Sequence, residues 1–361
     1  MSRPISLAIH LDGDGAHPAA WRQAAHAPRA LLTARRIRDI IGLAETAGFT
    51  LATLGGGHLP PGAAPNIVAR IDPLQQAAFA GPLTTRIGLV PEVEATFIEP
   101  FHTANQFASL DHVSRGRAGW LVRATGDATA AKAYGWPPFE DEAALAREVG
   151  DVIEVNRRLW DSWEDDAVIR DTATWRYIDR DKLHYADFTG ETFSVKGTSY
   201  VPRPPQGQLP ILSHDGLVDP ALVDITIVHA PTLEAIPAAA DEARDRGAAL
   251  VGTDLEIVLD SRGEPATARL AWLDDHTPWA RTGDPRVAGT ASDLRDAIAF
   301  LAGTVDVVRL IPAVIDIDLP ELRFAVLPAL LRDGIIATPA TGATLRESLG
   351  LGIAVNRYAR A

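Results

Sequence analysis

Residues 96–125 read TFIEPFHTANQFASLDHVSRGRAGWLVRAT, and this stretch decides how the rest of the chain is laid out. Pro100–Leu110 is predicted to be a helix set among aromatics, and the basic turn Arg115-Gly-Arg117 follows it. Ala118–Ala124 then runs as a short apolar strand, the pattern of a strand buried on both faces. A helix, a tight turn and a buried strand together form the repeating unit of an α/β protein.

The same alternation extends in both directions. Upstream, strands are predicted at Ile5–His10, Thr50–Leu54 and Ile87–Val90. A helix is expected over Thr33–Ala47, with Ile37, Ile40, Ile41 and Ala44 at helical spacing and Gly48 as its stop. Asp72-Pro73 marks another helix start, Asp as cap and Pro in the first turn. Downstream, a long helix over Asp141–Trp160 precedes strands at Pro210–Ser213, Ile225–Val228, Leu250–Leu259 and Asp306–Ile311. Helices at Leu233–Arg246, Ser292–Leu301 and Leu319–Leu331 separate or follow these strands. Eight strands alternating with helices predict parallel pairing, and the length suits one (β/α)8 barrel over residues 1–361. A doubly wound open sheet is the competitor, weakened because no G-x-G-x-x-G turn follows an early strand.

Two stretches depart from the rhythm. Asp161–Gly207 is polar and aromatic and ends in Val201-Pro-Arg-Pro-Pro-Gln-Gly207, whose prolines preclude a central strand. It is expected to form an excursion near the barrel mouth, with a hairpin at Thr192–Val201. Ser261–Thr290 is expected to form a loop and a helix between the seventh and eighth strands.

Composition bounds the function. The net charge of −13 disfavours nucleic acid and anionic membranes as partners, since both select a basic footprint. No run approaches the ~20 apolar residues of a membrane span, and the start of the chain lacks a signal-peptide core. A cytoplasmic location is expected. With no cysteine, disulfide frameworks, thiolate metal sites and cysteine nucleophiles are excluded.

Several runs carry a resemblance. Besides residues 96–125, these are His17-Pro-Ala-Ala-Trp21-Arg22, Leu159-Trp-Asp-Ser-Trp-Glu-Asp-Asp166, Asp181-Lys-Leu-His184, Phe193-Ser-Val195, the 201–207 run and Thr344-Leu-Arg-Glu-Ser-Leu-Gly-Leu351. In this order they resemble the bacterial luciferase-like flavin monooxygenases, in the branch acting on nitrilotriacetate, dibenzothiophene sulfone and pristinamycin-type substrates. The resemblance implies a TIM barrel, reduced FMN from a separate flavin reductase, dioxygen as co-substrate, a small organic substrate and a homodimer. Use of the deazaflavin F420 is a variant on the same barrel.

The departures from the family pattern fall at the site. Strand two ends in Leu54-Gly55-Gly56-Gly57-His58 where the family has an acidic residue. After strand three the chain reads Pro91-Glu-Val-Glu-Ala-Thr96, with Glu94 at a Ser-like position and Thr96 retained. Leu121 replaces the flavin-facing Asn of strand four, and Arg123 shares its face because strand side chains alternate. The family's A-G-S-S turn and phosphate-binding helix correspond here to Ser213-His-Asp-Gly216 and a short Leu217–Val223 stretch. The family's tyrosine before the long helix is absent, since none lies between Tyr134 and Tyr177.

Carried over by the resemblance, Thr96, Thr125, Ser213 and Gly216 are expected to line the flavin, with Asp215 beside them repelling a phosphate. Arg123 is either a replacement anion contact or the partner of Glu92 or Glu94 in an internal ion pair. His10, Glu94 and His214 are the candidates for proton transfer, each also readable as an ordinary hydrogen-bonding residue. His10, Glu92, Glu94, His214 and Asp215 have donor types that suit zinc, iron or manganese, but without H-x-H or H-E-x-x-H spacing no metal is assigned. Gly55–Gly57 reads as a phosphate cradle or a flexible loop. Asp111, His112, Ser114 and Arg117 precede strand four at its non-catalytic end and are expected to hold the turn. The alternative function is a degenerate barrel that binds flavin weakly or not at all, acting as a partner subunit or using the charged mouth.

Overall fold

A computed structural model describes residues 3–56 and 70–359 of the chain. Gly57 and His58 of the glycine run therefore lie outside the described residues.

Eight strands form the barrel: β1 (Ser6–Leu11), β2 (Leu51–Leu54), β3 (Gly88–Glu94), β4 (Trp120–Arg123), β5 (Ile211–His214), β6 (Ile225–Val228), β7 (Leu250–Leu259) and β8 (Val307–Pro312). Each pairs in parallel with the next, and β8 returns to β1 through Ser6 opposite Val307 and Ile9 opposite Leu310, so the sheet closes. Closure removes every free edge from this sheet.

Helices cover the outside. They include α1 (Ala34–Ala47), α2 (Pro73–Ala80), α3 (Pro100–Ser114), α4 (Ala128–Tyr134), α5 (Glu142–Asp161), α6 (Ile236–Asp245), α7 (Ala266–His276) and α8 (Ala291–Leu301). The opening stretch shows how such a unit is built. The Glu99 carboxylate accepts from the N–H groups of Phe101 and His102 and caps α3. Ala104, Phe107, Ala108 and Leu110 bury the inner stripe of that helix. Arg115 ends it at φ 58°, and Gly116 follows. The Arg117 guanidinium is buried and donates to Thr84 Oγ1 and to the carbonyls of Ile87, Gly81 and Thr84, each at 2.8 Å. The basic turn is therefore a structural clamp at the bottom of β4.

The barrel has two apolar layers. Between strands and helices lie residues such as Ile41, Phe107, Trp120, Val152 and Trp160. Inside the barrel, Ala8, Leu51, Val90, Leu121, Leu212, Ile227 and Val307 pack with Leu345 and Leu349 of the C-terminal segment. Leu345 opens a one-turn helix, Leu345–Ser348, capped by Thr344 and Glu347 in a capping box. It plugs the end of the barrel where the strands begin. A Cβ at Gly88 would stand 2.6 Å from a Leu345 methyl, and one at Gly119 would stand 3.0 Å away, so both positions must be glycine for the plug to seat.

Three expectations need correction. No hairpin forms at Thr192–Val201. A short ribbon pairs Phe188–Thr189 with Ser194–Val195, and a second pairs Val168–Asp171 with Arg176–Ile178. The backbone at Tyr200 and Val201 lies instead against α3, its N–H groups taken by the Asn105 side-chain oxygen at 3.1 and 3.3 Å. The region 261–290 holds α7 and also a strand, Arg286–Gly289, that pairs with the outer half of β7. The predicted helix over 319–331 is split into Ile315–Glu321, a π-turn at Leu322–Val326 and Leu327–Arg332. Pro320 and Pro328 each lack the N–H that a continuous helix needs.

Candidate functional site at the barrel mouth

Alternation along the strands sends every second side chain inward, and near the C-terminal ends these side chains become polar. The inward set is His10 on β1, Thr53 on β2, Glu92 and Glu94 on β3, Arg123 on β4, His214 on β5, Asp254 and Glu256 on β7, and Arg309 on β8. Arg309 is the centre. Its guanidinium donates to both oxygens of Asp254 at 2.7 and 2.5 Å, and to Glu92 at 3.0 Å. All three residues are at least 94% buried. A buried charge survives when it is paired and hydrogen-bonded, and the two-pronged Arg–carboxylate contact is the strongest form of such pairing. Burial alone would raise both carboxyls. For Glu92 the charges of His10, Arg309 and Arg123 more than reverse this, and for Asp254 Arg309 does, so both stay ionised well below the usual carboxylate range. His10 Nδ1 lies 3.2 Å from Glu92 and 3.1 Å from the Thr53 hydroxyl, on the rim of the same cluster.

A chain of imidazoles leaves this centre. Arg309 has only donors, so the nitrogen it meets at 3.2 Å, His214 Nε2, must accept. The His214 proton therefore sits on Nδ1, which faces His229 Nε2 at 3.1 Å. His229 carries its own proton on Nδ1 and donates it to Asp284 at 2.7 Å. The two rings are nearly parallel, with centroids 4.9 Å apart. Burial, reinforced by Arg309 and His229 and opposed by Asp254, lowers His214 to about 4. The hydrogen bond to Asp284 raises His229 despite its partial burial. At neutral pH His214 is a neutral relay, its tautomer set by Arg309.

Glu94 stands nearer the opening. Burial, with Glu92 and Asp127 adding to it and Arg123 opposing, raises its carboxyl to about 7. Arg123 has 47% of its side chain exposed and lies 3.7 Å from Glu92. The internal ion pair is thus present but loose, and the guanidinium is open to an anion. Just past β3, Phe97 sits at φ 58°, a left-handed conformation rare for a bulky residue, and packs on Tyr134 and Phe139.

The residues assigned to the flavin separate into two groups. Arg123 and Gly216 reach the surface of the mouth. Thr96 is fully buried, and its hydroxyl bridges to the Thr125 backbone at 3.1 and 3.2 Å while the Thr125 hydroxyl turns to Asp127. Ser213 is 1% exposed on the helix-facing side of β5, opposite in direction to His214, and donates to the His214 carbonyl. One step along the strand reversed the expected face. Asp215 turns away to Arg246 at 2.5 Å, so its charge is compensated, which corrects the expectation of an unpaired repulsive carboxylate.

FMN's phosphate can be tested against this turn. A phosphate cradle needs backbone N–H groups free to point at the anion. Here the Gly216 N–H is taken by Asp215 at 2.9 Å and the Leu217 N–H by the His214 carbonyl at 3.3 Å. The helical turn that follows, Pro220–Leu222, is three residues long and capped by Asp219. A phosphate does not fit there, and Arg123 is the cation of the β-strand mouth, among the described residues, left for one. No group of three or more His, Asp or Glu side chains among the described residues is arranged to hold a metal.

Sequence reasoning missed Arg309, Asp254, His229 and Asp284. A signal existed: Asp254 and Glu256 interrupt a ten-residue apolar strand at alternate positions, and Arg309 sits inside Val-Val-Arg-Leu-Ile. Charge placed inside a run that must be buried marks a paired network.

The fold and the mouth together define a (β/α)8 barrel whose catalytic face is built on a buried charge network. The chain belongs to the family described as Luciferase-like monooxygenase, whose family model matches residues 14–253. It is 35% identical over 216 residues to the N-acetyl-S-(2-succino)cysteine monooxygenase of Bacillus subtilis (strain 168), covering 59% of this chain and 48% of that protein. It is 30% identical over 243 residues to one of the two subunits of the pristinamycin IIA synthase of Streptomyces pristinaespiralis, covering 66% of this chain and 78% of that one. Monooxygenases named for nitrilotriacetate and dibenzothiophene sulfone match over shorter stretches, so the branch expected from the sequence is borne out. The chain spans 48% of the length of the first of these relatives and about a third of the latter two. A riboflavin lyase solved with modified FMN and riboflavin has the same fold, with a TM-score of 0.82 at 22% identity over 97% of both chains.

Proposed function

We propose that this protein is a monooxygenase-type oxidoreductase that uses reduced flavin and dioxygen on a small organic substrate. The observation carrying this reading is the family match over residues 14–253, on a barrel that keeps a polar, partly open C-terminal mouth. Reduced FMN delivered by a separate flavin reductase is the cofactor in this reading, and when bound it would supply the electrons for oxygen transfer. The deazaflavin F420 is the less favoured cofactor. A homodimer in the cytoplasm is the assembly and location that accompany it.

The chain's own residues contribute position and protons. Arg123 offers a half-exposed positive charge to an anionic group at the opening. Glu94, raised to about 7, exchanges a proton near neutral pH, which suits a general acid or base. Arg309, locked by Asp254 and Glu92, fixes His214 as a neutral hydrogen-bonding group and fills the barrel centre against water.

A second reading, a partner protein that holds no flavin of its own, is favoured by one observation. The turn after β5 satisfies its own N–H groups and leaves no phosphate cradle. Absorbance of the purified protein, followed by anaerobic titration with reduced FMN, separates the two. Saturable binding supports the oxidoreductase. Binding of neither oxidised nor reduced FMN, with no deazaflavin binding, overturns it.

A further inference from the structure

Between the loop after α4, the first turns of α5 and the ribbon at 188–195 lies a cavity of about 460 Å³. That volume is in the range of small-molecule pockets. It reaches Phe97, three residues past the end of β3, and so opens at the same end of the barrel as the mouth network. Aromatic side chains form part of its lining: Phe97 and Phe139, with ring centroids 5.5 Å apart, and Trp136, which is 48% exposed. Carboxylates form much of the rest, chiefly Glu148, Asp151 and Glu191. Arg147, the cation among the lining residues, is already paired with Glu191 at 3.1 Å.

We propose that this cavity is a binding site for an organic cation, an amine of small-molecule size carrying an apolar or aromatic body. Ring faces attract cations through their quadrupole, and a carboxylate beside them fixes the ammonium. The acidic side of the cavity is built. Glu148 is 93% buried, on the first turns of α5, and its side chain accepts from the Thr192 hydroxyl, which ties the ribbon to the helix. Gly190 lets the ribbon lie across α5, since a Cβ there would stand 2.5 Å from an Asp151 oxygen. Burial, then crowding by neighbouring acids, raises both Glu148 and Asp151 above the usual carboxylate range. A cation entering the cavity relieves that crowding. The carboxylates do not converge as a metal site among the described residues, and the aromatic wall selects an organic body over a bare ion. The net charge of −13 further enriches cations around the protein. This site needs no flavin and is independent of the redox reading.

The test uses the flavin-free full chain and two probes of equal shape, 2-phenylethylamine (protonated at pH 7.5) and 3-phenylpropionate. Calorimetry is expected to show saturable binding of the amine, at least about tenfold tighter than the anion, the ratio given by one well-placed charge contact. Asp151→Asn is expected to weaken the amine about fivefold or more. Trp136→Phe is expected to remove the fluorescence response while calorimetric binding persists. Equal affinity for the two probes, absence of saturable heat with the amine, or unchanged affinity in a folded Asp151→Asn variant overturns the proposal. If Asp151→Asn fails to fold, the comparison of probes on the unaltered chain still decides. Because no flavin is present, failure here leaves the oxidoreductase reading standing.

Discussion

Replacing Arg309 with Met removes the cation at the centre of the barrel and leaves its shape nearly filled. Asp254 and Glu92, each at least 95% buried, then face each other's field with His10 and the distant Arg123 as compensation. Breaking a buried pair by deleting one partner costs about 3–5 kcal/mol, and here one guanidinium serves two carboxylates. The expected loss at pH 8 is therefore about 4 kcal/mol, a large part of an ordinary stability of ~5–15 kcal/mol. The pH dependence is diagnostic. In the intact protein both carboxyls lie below their unfolded values, so their stabilisation is present above about pH 4 and fades as pH falls. Without Arg309, burial dominates and raises them, so the folded variant takes up protons that the unfolded chain does not. Its deficit should then shrink on going from pH 8 to pH 5. Equilibrium urea unfolding, followed by tryptophan fluorescence and far-ultraviolet circular dichroism, measures both values. Asp254→Asn added to Arg309→Met should recover ~1–3 kcal/mol at pH 8. A loss under about 1 kcal/mol, or a loss equal at the two pH values, would refute the network as described.

Glu94→Gln should stabilise the protein at high pH. Its carboxyl is raised to about 7 in the folded state from an ordinary 4.5, so the native form loses stability as pH rises through that window, up to ~3 kcal/mol above pH 7. The variant should lack that slope in urea unfolding. His214 has the opposite sign: lowered to about 4 from 6.5, it costs stability as pH falls from 6.5 towards 4. Nitrogen NMR at pH 7 should find it neutral with its proton on Nδ1, and a proton on Nε2 would contradict the contact with Arg309. Leu345→Ala should cost about 2–5 kcal/mol in unfolding free energy, because the plug fills the barrel floor between Gly88 and Gly119.

Much of the scaffold was legible because local physics set it. The predicted spans of β6 and β7 match the observed ones, since unbroken apolar runs of that length are buried strands. The predicted third strand stopped at Val90, because Pro91 punctuates the pattern, yet the strand continues to Glu94. That omission hid the inward alternation of Glu92 and Glu94. The mouth network was less legible for a different reason. Arg309 meets Glu92 from 217 positions away and Asp254 from 55, and no spacing rule reports such pairs. Ser213 was assigned to the mouth and His214 beside it was as well, although neighbouring residues on a strand face opposite ways. Asp215 looked like an unpaired charge until α6 brought Arg246 to it. Sequence showed which residue types the site contains, and closure of the barrel determined which of them meet.

Flavin binding at the mouth is tested most directly by one comparison, the affinities of FMN and riboflavin, both reduced, for the intact protein and for Arg123→Ala. Both flavins are expected to bind, with FMN favoured by less than about tenfold, since a single half-exposed guanidinium replaces a backbone cradle. Arg123→Ala is expected to erase that preference. Absence of binding by either flavin, or a large FMN preference that survives loss of Arg123, would contradict this reading of the mouth.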